Sequence, residues 1–306
     1  MKNLTAQPFS QSEIVMWDQC PTKWYNRYYL QLEKVGDYNL FNVIGTAWHT
    51  MMEIWYQSKG KALSAPELIF PEDTIFTQED ERANEMWHEI LEAMIQAYDY
   101  HFKADLKLFK MDTLEEVVTV EVEIDGVKMQ LTGKVDMTGK FRNKIAQWDH
   151  KTTSQLSPQM CDAWEYKFQF MFYAWLKKQA MGLKVEEFIV NVVRKPQLRW
   201  KKDEHLHAFA GRVKHAMLSE PNEYFYRQHL ELNDFAYQNF EESVLMPKLK
   251  RIASLQKNPK LEPILALNRN TEACNHFGQV CPFYDKCFHG ETSSYKTREV
   301  KHVELE

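Results

Sequence analysis

Residues 117–151 read VVTVEVEIDGVKMQLTGKVDMTGKFRNKIAQWDHK, and their period is two. Alternation of this kind marks strands with two unlike faces. VVTVEVEI (117–124) and VKMQLTGKVDM (127–137) flank Asp125-Gly126, a dipeptide suited to a tight hairpin turn that needs positive φ. After a short turn, KFRNK (140–144), the segment IAQWDHK (145–151) makes the next strand. Residues two apart on a strand point to the same side. Asp149 and Lys151 therefore share a side at the end of an apolar run. They read either as a pair aimed at a site or as an ordinary ion pair at a strand end.

Outward from these strands the period lengthens to that of helices. SQSE (10–13) opens a helix over 10–30 as a capping box. GTAWHTMMEIWYQ (45–57) makes a second helix, and residues 78–104 make a long third one with a polar face. Residues 159–181 form a strongly apolar helix, EEFIVNVV (186–193) a further strand, and helices return at 204–218 and 234–256. The expected class is α/β: a central mixed β-sheet flanked by helices. One domain is expected over 1–306, with its sheet core within 105–200, because no repeat or low-complexity linker divides the chain.

At 306 residues and 44% apolar content the chain can bury a large core. Its net charge of −5 argues against a generally basic coat, though not against a local basic groove. The opening MKNLTAQPFSQSE has no apolar signal region, and no apolar run approaches a membrane span. The expectation is a soluble, cytoplasmic protein with no membrane partner. Of five cysteines, Cys274, Cys281 and Cys287 crowd into CNHFGQVCPFYDKC, a pattern that suggests metal rather than disulfides in such a compartment.

Asp136 ends the second hairpin strand and Asp149 lies on the strand after it. Neighbouring strands run about 5 Å apart, so the two carboxylates could share a hard cation such as Mg²⁺ or Mn²⁺; alone, each also reads as a strand-end cap. His49 and Glu53 share a helix face. His49 is either a satisfied core histidine or the third ligand that the aspartate pair lacks. Gln169 and Tyr173, also four apart, are polar tips on an aromatic helix. They are either partly buried and satisfied or placed to reach a phosphate or orient Lys151.

The order Gly45-x3-His49, Gly133-x2-Asp136, Asp149-x-Lys151, Gln169-x3-Tyr173 resembles the PD-(D/E)XK nuclease superfamily. It is most similar to the RecB-like branch, which includes the AddB and CRISPR-adaptation nucleases and many phage exonucleases. The resemblance spans residues 10–290 and implies a restriction-endonuclease-like core. By position, His49, Asp136, Asp149 and the His150 carbonyl would bind the catalytic Mg²⁺ or Mn²⁺, the imidazole favouring Mn²⁺. Lys151 would position the attacking water and offset developing charge, while Gln169 and Tyr173 would shape the site. The branch also implies a 4Fe–4S cluster on Cys20, Cys274, Cys281 and Cys287, clasping residues 1–30 to 270–290. One departure stands: relatives have C-x2-C-x5-C, and this chain has C-x6-C-x5-C. The rival is a zinc site, with His276 and His289 as further candidates. Cys161 reads as a small buried residue.

The resemblance implies a metal-dependent DNA nuclease, an exonuclease acting on ends in phage or bacterial recombination and repair. A CRISPR-adaptation nuclease and a non-catalytic DNA- or partner-binding relative are the alternatives. DNA contact is expected from RKPQLRWKK (194–202), through Arg194, Lys195, Arg199, Trp200, Lys201 and Lys202, since basic residues around an aromatic suit single strands; a solvated loop is the other reading. Arg227 is a further candidate phosphate contact. No G-x4-G-K-[ST] phosphate loop occurs, so any unwinding would come from a helicase or recombination partner.

Overall fold

The computed structural model describes residues 7–302 except 37, 71–73, 75, 163, 165–166, 257–268 and 277–278. In chain order, β1 (Phe9–Ser10) leads into α1 (Gln11–Gln19), α2 (Pro21–Trp24) and a wide turn over Tyr25–Tyr29. Then come β2 (Leu32–Lys34), α3 (Leu40–Gln57), α4 (Gln78–Phe102) and α5 (Asp105–Leu108). Strands β3 (Phe109–Ile124), β4 (Val127–Phe141) and β5 (Lys144–Thr153) follow, then α6 (Pro158–Asp162), α7 (Phe168–Met181) and β6 (Glu187–Arg194). After α8 (Leu206–Ser219) and α9 (Pro221–Tyr224) come β7 (Phe225–Glu231), α10 (Asp234–Asn239) and α11 (Met246–Gln256). The tail carries β8 (Asn275–His276), β9 (Gln279–Val280), a short helix Tyr284–His289 and β10 (Tyr295–Thr297).

The sheet is mixed, as expected, in the order β1-β4-β5-β6-β7 with β3 also on β4. Both turns of the meander are built as the sequence suggested. Asp125 and Gly126 have φ of 50° and 78°, and Arg142 and Asn143 have 51° and 70°, the left-handed pairs of two-residue hairpins. β5 and β6 are parallel, joined through α6 and α7, while β6 and β7 are antiparallel.

Pairing between β4 and β5 runs from Phe141–Lys144 to Met137–Trp148 and stops there. The other half of the β3–β4 hairpin continues without β5, and β1 joins the edge of β4 at Leu131–Thr132. Two cores result. Met137, Phe141, Trp148, Ile189 and Val193 pack with α3, α4 and α8. Val118, Leu131 and Val135 pack with α1, α7 and α11. A third set on α7, β6 and β7 includes Phe170, Phe188 and Val190.

Three local expectations differ. The helix over 10–30 breaks at Cys20, which is extended at φ −161° and ψ 107°. Pro21 is the cause, because a proline disfavours the helical region for the residue before it. The helix over 159–181 is two pieces, α6 and α7. The aromatic segment 225–231, not assigned as a strand from sequence, is β7.

The N-terminal and C-terminal segments of the described residues meet. β10 pairs antiparallel with β2, and Lys301 makes a 2.9 Å ion pair with the fully buried Glu13. Trp24 Nε1 donates to Glu13 at 3.0 Å. Burial pushes the Glu13 carboxyl up against the pull of Lys301 and His302.

β3 shifts register between Met111 and Thr113, an irregularity that brings its backbone against Gly139 of β4. A Cβ at Gly139 would collide with the Lys110 carbonyl oxygen and the Met111 Cα. Gly139→Ala should therefore destabilise the fold by about 2 kcal/mol or more. The denaturant midpoint measures this, and an unchanged midpoint would mean that the bulge relaxes freely.

Candidate active site

The four motifs converge where β4 and β5 part. Asp136, one residue past the last paired position, is buried, and its Oδ2 accepts a 2.8 Å hydrogen bond from the His150 N–H. The carboxylate thus satisfies a buried donor that the ladder no longer serves. His49 Nδ1 from α3 lies 3.1 Å from the same oxygen. Asp149, 1% exposed, holds Lys151 Nζ at 2.7 Å through Oδ2 and accepts from Gln169 Nε2 at 3.2 Å through Oδ1. Gln169 Nε2 also lies 3.4 Å from the Tyr173 hydroxyl. The motif glycine on β4 has a packing reason: a Cβ at Gly133 would meet the Tyr173 ring at 2.7 Å. Gly45 has none of this kind, as nothing lies within 4 Å of its would-be Cβ.

Charges here are strongly coupled. Burial alone would raise the Asp136 carboxyl, but His49 and then Lys151 hold it well below the usual carboxylate range. Burial raises Asp149 to about 6 against the pull of Lys151, with Asp136 adding to the rise. Burial lowers the His49 imidazole, and Asp136 outweighs it, so its pKa is raised. Lys151 is likewise raised, Asp149 and Asp136 overcoming burial. The arrangement is one of buried carboxylates whose charge is offset by neighbouring cations and by N–H donors.

The sequence reading missed Glu115. It faces Asp136 across the hairpin, between the paired positions Leu114–Met137 and Glu116–Val135. Its φ is 48°, a left-handed value rare for a residue with a side chain. Its partner is Lys134 at 3.3 Å, and burial, then Asp136, pushes its carboxyl up to about 7. Among the described residues, His49, Glu115 and Asp136 are the one set of three such side chains whose ligand atoms all lie within 4.8 Å of one another. No local pattern in LEEVV marks Glu115; only the register across the hairpin does.

Behind the site runs a buried polar row. His150, Asn191 and Arg227 are neighbours across β5, β6 and β7. Asn191 Nδ2 lies 3.0 Å from His150 Nδ1, and its Oδ1 accepts from Arg227 Nε at 3.1 Å. Arg227 also donates to Asp105 at 2.7 Å, with its guanidinium over Trp148 and Phe102. Burial lowers the His150 imidazole to about 3. Arg227, a candidate phosphate contact from the sequence, is thus engaged by Asn191 and Asp105.

The basic run 194–202 divides. Lys195 is buried with its ammonium over Phe41, and Trp200 stacks on Phe209 with its N–H donating to the Glu204 carbonyl. Arg194 pairs with Glu223 at 3.2 Å. Arg199, Lys201 and Lys202 are exposed.

Cys20, Cys274, Cys281 and Cys287 line one small cavity, together with Lys23 and Arg269. None is in a disulfide. The long spacing between Cys274 and Cys281 is taken up by the β8–β9 hairpin, and the Cys281 N–H donates to the Cys274 carbonyl at 2.8 Å. Cys161 is buried elsewhere, in the α7–β6 core. The His276 side chain lies outside the described residues.

No curated protein matches this chain. Among solved structures, a candidate exonuclease from Eubacterium rectale is 14% identical, with a TM-score of 0.49 over 99% of this chain and 93% of that one. The protein SSO0001 is 13% identical over 69% of this chain and 87% of its own, with a TM-score of 0.29. Protein VC1899 from Vibrio cholerae is 13% identical over 68% and 50%, with a TM-score of 0.19. What places the chain is its family profile. Residues 8–287 match that of the PD-(D/E)XK nuclease superfamily, and the chain belongs to that superfamily.

Proposed function

We propose that this nuclease cuts DNA phosphodiester bonds from ends, as an exonuclease of the RecB-like branch serving recombination or repair. The observation that carries the reading is the meeting of His49, Asp136, Asp149 and Lys151 at the β4–β5 fork. The donor set, one imidazole and hard carboxylate oxygens, suits Mg²⁺ or Mn²⁺. His49, Asp136, Asp149 and the His150 carbonyl would hold the cation. When bound, such a cation polarises the phosphoryl oxygen and makes water more acidic. Lys151 brings an ammonium to where negative charge grows during attack, which lowers the barrier more than it raises affinity. Gln169 keeps Asp149 in place from α7, and Gly133 leaves room for Tyr173 beside it. Arg199, Lys201 and Lys202 form the exposed basic patch for the DNA backbone. Unwinding falls to a helicase or recombination partner.

The four cysteines support a 4Fe–4S cluster in the same reading. Cys20, Cys274, Cys281 and Cys287 line one small cavity, which brings the thiol between α1 and α2 together with the three of the C-terminal segment. Lys23 and Arg269 at the cavity wall would offset the charge of the thiolates.

End-labelled single- and double-stranded DNA, with and without Mn²⁺, tests the activity. Asp136→Ala and Asp149→Ala should each lower Mn²⁺-dependent cleavage by about a thousandfold or more, with the circular dichroism spectrum kept. Wild-type-like cleavage in either variant would sink the assignment of the site.

Lys151→Ala should slow single-turnover cleavage of bound DNA by about a hundredfold, while the Kd for DNA moves about threefold or less. The opposite split, weaker binding with undiminished cleavage, would make Lys151 a phosphate anchor.

Anaerobically purified protein should be brown and contain iron and sulfide. Cys20→Ser should bleach it and lower the melting temperature, and Cys161→Ser should do neither. Zinc with no visible absorbance would refute the cluster and leave the nuclease site untouched.

A further inference from the structure

We propose that Glu115 is a direct ligand of the catalytic cation, completing its coordination with His49 and Asp136; the proposal rests on the nuclease reading above. A bland alternative exists, since Glu115 already has an ion pair with Lys134. Four observations favour the ligand.

The first is distance. His49, Glu115 and Asp136 each offer an atom within 4.8 Å of the other two. Donors on opposite sides of an octahedral cation, about 2.1 Å from the metal, stand about 4.2 Å apart, so such a set closes on one ion with small side-chain movement. The second is the state of Asp149. One of its oxygens is held by Lys151 and the other by Gln169. Asp149 then shares its charge between the cation and Lys151, and Glu115 adds a third carboxylate beside Asp136 and Asp149. The third is placement. Like charges directly opposite on antiparallel strands repel, yet Glu115 and Asp136 stand opposite each other at the fork. A cation between the two carboxylates would offset that repulsion, alongside the Lys134 ammonium 3.3 Å from Glu115. The fourth is support. The next residue, Glu116, is locked to Lys177 of α7, whose ammonium is buried and also bonds Thr113. This lock fixes the β3 backbone on both sides of Glu115, so the carboxylate is presented from a rigid base.

The reading has a consequence for Lys134. It competes with the cation for Glu115, so it opposes metal binding, whereas in the bland alternative Lys134 and Glu115 act as one structural pair.

Mn²⁺ titration of the full chain by calorimetry separates the two. Glu115→Gln should weaken Mn²⁺ binding at least about tenfold, Glu115→Asp should fall in between, and Lys134→Met should bind as tightly as wild type or more tightly. Wild-type affinity in Glu115→Gln would overturn the proposal, and so would a loss in Lys134→Met equal to that in Glu115→Gln. Asp136→Asn separates this from the parent reading. If it loses Mn²⁺ binding while Glu115→Gln keeps it, only the role of Glu115 falls. If wild type binds no Mn²⁺, the nuclease site falls as well.

Discussion

Everything at the site follows from the parting of β4 and β5. Continued pairing beyond Met137–Trp148 would set Asp136 directly against Asp149, two carboxylates with almost no solvent. Such a pair would repel in a medium that screens poorly. The strands separate, and Asp136 turns its side chain into the missing acceptor for the His150 N–H. The gap admits His49 from α3 beside Asp136, and Lys151 with Gln169 of α7 beside Asp149. The same interruption that weakens the sheet therefore creates the place where opposite charges gather.

Much of this could be read from the chain because the relevant signals are local. Asp125-Gly126 fixed the hairpin, and Asp149 and Lys151 lie two apart on a strand, so their shared side followed from the pleat alone. The helix-borne Gln169–Tyr173 pair was legible for the same reason, by the four-residue spacing of a helix face. Glu115 was not legible, because Asp136, which it faces, is 21 residues away across a hairpin whose register shifts at Met111–Thr113. β7 was hidden because its Arg227 looked like a solvent-facing charge. The residues that satisfy it, Asn191 and Asp105, come from elsewhere in the chain. In the run 194–202 the Trp200 ring stacks on Phe209 and the buried Lys195 sets its ammonium over the exposed Phe41, contacts that no local pattern in RKPQLRWKK marks.

Among the described residues, the N-terminal and C-terminal segments are tied by several weak devices. Strand pairing of β2 with β10, the Lys301–Glu13 pair, and the Asn270 amide on the Gln19 carbonyl at 2.8 Å all cross the same seam. Each closes a loop of most of the chain, and the cost of closure grows only slowly with length once the first tie is made. The cysteine cavity lies along this seam, next to α1 and α2. The break at Cys20 that ended the expected helix is what turns this residue toward the C-terminal cysteines.

The His150–Asn191–Arg227 row bears on how the sheet finds its alignment. Its neighbours on that face include the apolar Trp148, Ile189, Val193 and Phe225, with Thr152 and His229 the polar ones. If β6 slipped by one residue, Asn191 would pass to the opposite face, and Val190 or Val192 would stand beside the Arg227 guanidinium. The half-buried guanidinium would then lose its Asn191 acceptor and keep Asp105 alone, a penalty that apolar mismatches do not carry. The row thus acts as a key cut for one alignment of three strands. Since β5 carries Asp149 and Lys151, the key also selects the one folded register in which the chemistry can occur.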